Sequence, residues 1–68
     1  MHNKKMRLSD IKLFHHFKHD GRILQLIDND YLEQWAVGYD QKTGEVINLN
    51  LYINVEPINV DIIEINNR

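Results

Sequence analysis

The densest group of metal-binding side chains is the stretch His15-His16-Phe17-Lys18-His19, which holds three of the four histidines. In a helix, His15 and His19 share one face, at the spacing of two zinc ligands. In a strand they lie about 13 Å apart, at roughly 3.3 Å per residue, which is too far for one metal ion. The sequence has no cysteine and no HExxH motif. We therefore predict half-exposed strand histidines, with no metal site and no cofactor.

Residues for covalent catalysis are equally scarce, since Ser9 is the only serine. The segments Ser9-x-x-Lys12 and Lys42-Thr43-Gly44 match two motifs of penicillin-binding proteins and β-lactamases. The third motif is missing, and 68 residues cannot build that active site. Because no nucleophile lies beside a candidate base, we predict that the protein is not an enzyme and has no catalytic residue.

Charge is distributed unevenly along the chain. Residues 1–18 carry five basic side chains against one acidic, whereas residues 19–68 carry three basic against nine acidic. A basic segment can bind phosphates by releasing counterions, which makes a small nucleic-acid-binding domain the alternative function. The sequence pI of about 6.0 is far from that of typical nucleic-acid binders. The basic residues in this alternative are Lys4, Lys5, Arg7, Lys12 and Lys18.

Aromatic and acidic side chains suggest a protein contact instead. Tyr52 lies among asparagines on the polar side of an alternating segment, where an exposed aromatic can anchor a partner. Acidic residues elsewhere in the chain can steer that partner toward the anchor. The residues predicted to bind a partner are Tyr52, Asn50, Asn54, Asp28, Asp30 and Glu33.

Size and composition limit the elements that can position these residues. The chain of 68 residues is 43% hydrophobic and 26% charged, with a net charge of −2. This length excludes doubly wound sheets and two-domain enzymes, and the lack of cysteine excludes a disulfide scaffold. No segment has the length of a secretory signal core or a membrane span. We expect one domain over residues 7–68 after a flexible basic arm at 1–6, in a cytoplasmic protein with no membrane partner.

Alternating residues predict the central hairpin. Apolar side chains at 47, 49, 51, 53 and 55 give a strand over 45–55 with one buried face. A second alternating segment, 34–40, pairs with it through the polar loop that ends in Gly44. Gly38 leaves space on its face of the strand, as where a neighbouring side chain crosses closely.

The dipeptide Asp20-Gly21 predicts a second hairpin, entered over 14–19 and left over 22–28. The alternative for this region is a helix from Ser9 to Gly21. With the hairpin, residues 8–11 form a single helical turn.

The remaining elements complete a small sheet. We expect a turn at 28–30, an interruption at Pro57 and a last strand over 60–65. These strands predict an all-β domain, or α+β with one short N-terminal helix, arranged as a five-stranded antiparallel SH3-like or OB-like barrel.

Several segments together resemble short bacteriophage accessory proteins. The resemblance rests on Leu8-Ser9-Asp10-Ile11, on Asp20-Gly21 after Phe17, and on Asp40 followed by Thr43-Gly44-Glu45-Val46-Ile47. It implies an SH3-like β-barrel without an active site, encoded by a phage accessory gene. In that case the cytoplasm is that of the host cell.

These observations predict a non-catalytic interaction module that binds a host protein and modulates or inhibits it. We also expect so small a domain to gain stability by burying Ile63, Ile65 or Tyr52 against a second copy.

Overall fold

The computed structural model describes residues 5–58 and confirms an all-β domain. A single 3-10 turn, Leu8–Asp10, is its only helical element within those residues. The six strands are β1 Met6–Arg7, β2 His16–His19, β3 Arg22–Asp30, β4 Trp35–Tyr39, β5 Val46–Asn50 and β6 Asn54–Ile58.

All six strands belong to one antiparallel sheet with the order β1-β6-β2-β3-β4-β5. The predicted barrel had five strands and closed on itself. Within the described residues the sheet has six strands, and no ladder joins β1 to β5 at its two ends. Met6 pairs with Val55, so the sheet begins inside the predicted arm, 1–6.

Within residues 5–58 the sheet has two strands more than predicted: β1, and a second one because the predicted strand over 45–55 is two strands. A turn at residues 51–53 separates β5 from β6. The Oδ1 atom of Asn50 accepts a hydrogen bond of 2.8 Å from the backbone N–H of Tyr52, and this local bond competes with a continued strand. The alternation of apolar residues in the sequence continues through this turn, and Leu51 in the turn and Val55 in β6 are both buried.

The hairpin predicted at Asp20-Gly21 is confirmed, and the alternative helix over 9–21 is wrong. Strands β2 and β3 pair from His19 opposite Arg22 onward. Asp20 and Gly21 between them both have positive φ, 55° and 77°, as the two central residues of a type I′ turn require.

The predicted turn at 28–30 is also wrong, because these residues continue β3 to Asp30. A register shift between Leu26 and Asp28 bends the strand there. Pro57 lies within β6, opposite Phe17, and does not interrupt it. Proline is tolerated here because β1 pairs only with Asn54 and Val55, which leaves this part of β6 paired on one side within the described residues. Residues 60–65, and with them Ile63 and Ile65, lie outside the described residues.

The core forms where Phe17 and Leu24 meet the inner face of β4. A Cβ atom added to Gly38 would lie 3.2 Å from Leu24 Cδ1 and 3.3 Å from Phe17 Cζ, which confirms the predicted close approach. The small inner residues Ala36 and Gly38 therefore leave room for the large ones. The buried hydrophobic residues are Leu8, Ile11, Phe17, Leu24, Leu26, Ala36, Leu51 and Val55.

We expect Gly38→Ala to lower the free energy of unfolding by about 1–3 kcal/mol, because the added methyl overpacks this contact. Urea unfolding followed by fluorescence of the single tryptophan, Trp35, measures the loss. Phe17→Leu in the same chain shortens the neighbour, so the double variant should lose less than the two single losses combined. Additive losses would show that the methyl and the ring do not meet.

Candidate functional site

Two loops, 30–34 and 40–44, fold in the same way at the two ends of β4. In the first, the Oδ1 atom of Asp30 accepts hydrogen bonds from the N–H groups of Leu32 (3.0 Å) and Glu33 (3.1 Å). The carbonyl oxygen of Asp30 accepts a third bond, of 2.7 Å, from the N–H of Gln34. Gln34 has a left-handed backbone, with φ 65°.

The second loop repeats each of these features. Oδ1 of Asp40 accepts from the N–H groups of Lys42 (2.9 Å) and Thr43 (3.3 Å). The Asp40 carbonyl oxygen accepts from Gly44 N–H at 2.7 Å, and Gly44 is left-handed with φ 81°. One aspartate thus organises each loop through its side chain and its backbone.

The two loops differ in the residues they expose. The 40–44 loop carries polar residues and a glycine at the left-handed position, which suits a solvated turn. The 30–34 loop exposes 91% of Leu32 and 55% of Tyr31, and it places Gln34 in the left-handed region. A left-handed residue other than glycine costs roughly 1–2 kcal/mol, and an exposed leucine contributes no burial. The left-handed glutamine and the exposed leucine both lower stability without an evident compensation, and such residues are typical of functional sites.

Hydrogen bonds also hold the 30–34 loop against the rest of the domain. The Tyr31 hydroxyl donates to the carbonyl oxygen of Ser9 at 3.1 Å, and Leu51 N–H donates to the carbonyl oxygen of Gln34 at 3.1 Å. The 3-10 turn, the 30–34 loop and the 51–53 turn therefore lie together. We call this region, formed by residues 8–10, 30–34 and 50–53, the Leu32 end of the sheet.

Tyr52 and Asn50 belong to this region, and Asn54 lies just beyond it. Tyr52 is 41% exposed, and the guanidinium carbon of Arg7 lies 6.0 Å from the centre of its ring, at the limit of a cation–π contact. Asn50 is exposed at the end of β5 and stands opposite Trp35. Asn54 stands opposite Arg7 on the other side of Tyr52.

The three predicted acidic residues lie close to the same end. Asp30 pairs with Trp35 across β3 and β4, so Asp30, Trp35 and Asn50 form one row on the outer face of the sheet. Glu33 is exposed in the 30–34 loop, and Asp28 stands opposite Val37 in the next outer row.

The structure thus brings Asn50, Tyr52, Asp30 and Glu33 together at the Leu32 end. Sequence reasoning missed Tyr31 and Leu32, the two most exposed apolar side chains there. The sequence offers no turn signal for this loop, because Gln34 and not a glycine occupies its left-handed position.

An ion-pair cluster occupies the opposite end of the sheet. Arg22 Nε lies 3.1 Å from Asp40 Oδ2, and the Arg22 guanidinium also pairs with Glu45. Asp40 is 4% exposed. A cleft of about 480 Å³ beside this cluster is lined by His16, Arg22, Ile23 and Lys42 among others. The paired charges indicate a structural role in joining the two hairpins.

The pKa of Asp40 lies below its ordinary value. Burial raises the pKa, but hydrogen bonds from Lys42 and Thr43 and the charge of Arg22 outweigh this effect. A depressed pKa stabilises the fold above the unfolded pKa, which is about 3.9, and this contribution is lost as pH falls through the folded pKa.

The basic residues of the alternative function do not form one stripe within the described residues. Lys18 stands opposite Glu56, and Arg7 is directed to Tyr52. Lys12 lines a separate cleft of about 380 Å³ with Asp10, His15 and His16. Lys5 is exposed, and Lys4 lies outside the described residues.

Of the three histidines in the described part of the chain, two lie in β2 and one lies just before it. His16 and His19 are half-buried in β2, as predicted, whereas His15 is exposed before the strand. Among residues 5–58, no three histidine, cysteine or carboxylate side chains are grouped as a metal site. The same part of the chain contains no helix long and apolar enough to cross a membrane.

We expect the pH dependence of unfolding to report on Asp40. Lowering the pH through the acid range should destabilise the wild type more than Asp40→Asn, which lacks the titrating carboxylate but is already less stable at pH 7. Thermal unfolding by circular dichroism at a series of pH values measures this difference. Asp10→Asn, which removes an exposed carboxylate from the 3-10 turn, should keep the wild-type profile. An unchanged profile in Asp40→Asn would contradict the assignment.

The two loops offer a reciprocal stability test. Gln34→Gly should raise the free energy of unfolding by about 1 kcal/mol by relieving a left-handed glutamine, and Gly44→Gln should lower it by a similar amount. Chemical denaturation measures both variants. Equal effects of the same sign would exclude backbone strain as the cause.

Comparison of the chain with protein-family models, with curated proteins and with solved structures finds no match.

Proposed function

We propose that this protein is a non-catalytic protein-interaction module that binds its partner through the Leu32 end of the sheet. The observation that carries the proposal is Leu32, 91% exposed at the tip of a loop that Asp30 holds in one conformation. Tyr31 and Tyr52 add exposed aromatic surface at the same end. Tyrosines are enriched at interface anchors, and an exposed leucine between them extends the apolar surface that a partner can bury.

The fixed backbone of the loop favours tight binding. Association costs free energy for every flexible side chain and loop that becomes ordered. The bonds to Asp30, the Tyr31–Ser9 bond and the Leu51–Gln34 bond remove much of that cost before the partner arrives. The strain at Gln34 is thus the cost of presenting Leu32 in a defined position.

The acidic residues indicate the chemistry of the partner. Glu33 follows Leu32 in the loop, Asp30 begins the loop, and Asp28 lies in β3 one outer row away. We infer a partner with an apolar pocket large enough for a leucine and a basic rim, because such a rim increases the association rate.

The resemblance to phage accessory proteins suggests what kind of partner the module binds. In this proposal the partner is a host protein, and the module modulates or inhibits it in the host cytoplasm. The finer assignment to an SH3-like barrel belongs to the same proposal. Strands β2, β3, β4 and β5 form a consecutive meander and β6 returns beside β2. This order supports an SH3-like arrangement.

The test compares two identical substitutions. Leu32→Lys should weaken partner binding at least about 30-fold, the equivalent of losing roughly 2 kcal/mol at an anchor. Leu13→Lys introduces the same charge at another exposed leucine, 44% exposed, and should bind as the wild type does. Partner capture from host lysate, followed by titration with the purified partner, measures both.

A loop exchange separates loss of binding from loss of folding. Replacing residues 31–34 with the Gln-Lys-Thr-Gly sequence of 41–44 keeps a backbone that this domain already forms. This exchange should abolish capture while the domain stays folded, because relief of the left-handed Gln34 offsets the loss of the Tyr31–Ser9 hydrogen bond. The proposal fails if the exchanged protein still captures the partner, if no stoichiometric partner is recovered, or if nucleic acid is the molecule recovered.

A further inference from the structure

Strand β5 is an open edge of the sheet formed by residues 5–58. It is the last strand in the sheet order and pairs only with β4 within the described residues. The carbonyl oxygen of Glu45 accepts from Asp40 N–H, and Leu51 N–H donates to Gln34. Since ladder bonds alternate along an antiparallel strand, the odd-numbered residues of β5 bond to β4. The backbone groups of Val46, Asn48 and Asn50 therefore point away from the sheet.

The side chains of β5 do not protect this edge. Sheet edges in soluble proteins commonly carry charged residues, proline or a bulge, which prevent another strand from pairing. The segment Val46-Ile47-Asn48-Leu49-Asn50 contains no charged residue and no proline, and its ladder with β4 is regular. At the other end of the sheet, β1 is only two residues long and has the charged Arg7.

We propose that β5 pairs with β5 of a second copy of this protein, antiparallel and about a two-fold axis through Asn48. In this register the outward backbone groups of Asn48 bond to Asn48 of the other copy. Those of Val46 meet Asn50 of the other copy in the same way. This inference concerns the β5 edge, which shares only Asn50 with the Leu32 end, and it does not rest on the proposed function.

The side-chain pattern of β5 is complementary to itself in this register. On the inner face, Ile47 meets Leu49 of the second copy, and both are half-buried in the single copy. On the outer face, the Asn48 amides face each other, and Val46, 62% exposed, meets Asn50. No like charges are brought together within the five paired residues. A registered pair of copies therefore gains apolar contacts and backbone bonds without electrostatic repulsion.

The short edge also sets the strength of the dimer. Five paired residues bury less surface than a standard stable interface of about 1,600 Å². We therefore expect a reversible dimer, whose population increases with protein concentration.

Charged substitutions on the proposed axis test the register. Asn48→Lys and Asn48→Glu each place like charges opposite each other, so each variant should sediment as a monomer at concentrations where the wild type dimerises. An equimolar mixture of the two variants should restore the dimer, because opposite charges then meet across the axis. Gln41→Lys, a charge change in the exposed 40–44 loop, should dimerise as the wild type does.

Analytical ultracentrifugation over a concentration series distinguishes the outcomes. A wild type that stays monomeric throughout the concentration series would overturn the proposal. This is the result expected if residues 60–65 or a strand of another protein occupy the edge instead. Variants that dimerise separately, or a mixture that stays monomeric, would exclude the axis through Asn48. The loop exchange at 31–34 should leave the dimer unchanged, so failure here is distinguishable from failure of the proposed function.

Discussion

Two aspartate side chains, Asp30 and Asp40, fix the loops at both ends of β4, and the arrangement of the central meander depends on them. Each carboxylate satisfies two backbone N–H groups of its loop. The loops set the register of β4 against β3 and β5, and a slip of one residue would turn every side chain of β4 to the opposite face. The observed register directs Ala36 and Gly38 inward.

This register determines both the core and the outer face. With small residues inside, Phe17 and Leu24 approach the backbone of β4, as the 3.2 and 3.3 Å distances at Gly38 show. The larger residues Trp35, Val37 and Tyr39 are directed outward and remain half-buried. A 68-residue chain has few large apolar side chains, and this arrangement places several of them on the outer face of the sheet.

Two kinds of element were predictable: turns with a glycine at a left-handed position, and strands with alternating apolar and polar residues. The turn at Asp20-Gly21 and the loop ending in Gly44 were predictable, because each requires a left-handed residue and has a glycine to supply it. The 30–34 loop was missed because Gln34 occupies the left-handed position. The break after Asn50 was missed because the apolar period continues through it, so alternation cannot distinguish one strand from two.

The candidate site was predictable in its polar part only. Asparagines and carboxylates beside an aromatic suggested a contact surface, and Asn50, Tyr52, Asp30 and Glu33 do lie at one end of the sheet. Leu32 could not be found from sequence, because a leucine after a predicted strand is expected in the core. Its significance comes from its exposure and from the comparison with the 40–44 loop, both of which require the three-dimensional structure.

The two proposed surfaces are compatible and reinforce each other. Antiparallel pairing about Asn48 places Asn50 of one copy beside Val46 of the other, so the two Leu32 ends lie at opposite ends of the joined sheet. Neither anchor is covered by the dimer contact. A dimer therefore presents two anchors, and a partner that is itself oligomeric can engage both, with the second contact favoured by a high effective concentration. A weak edge contact is sufficient for this purpose, because binding to such a partner would itself hold the two copies together.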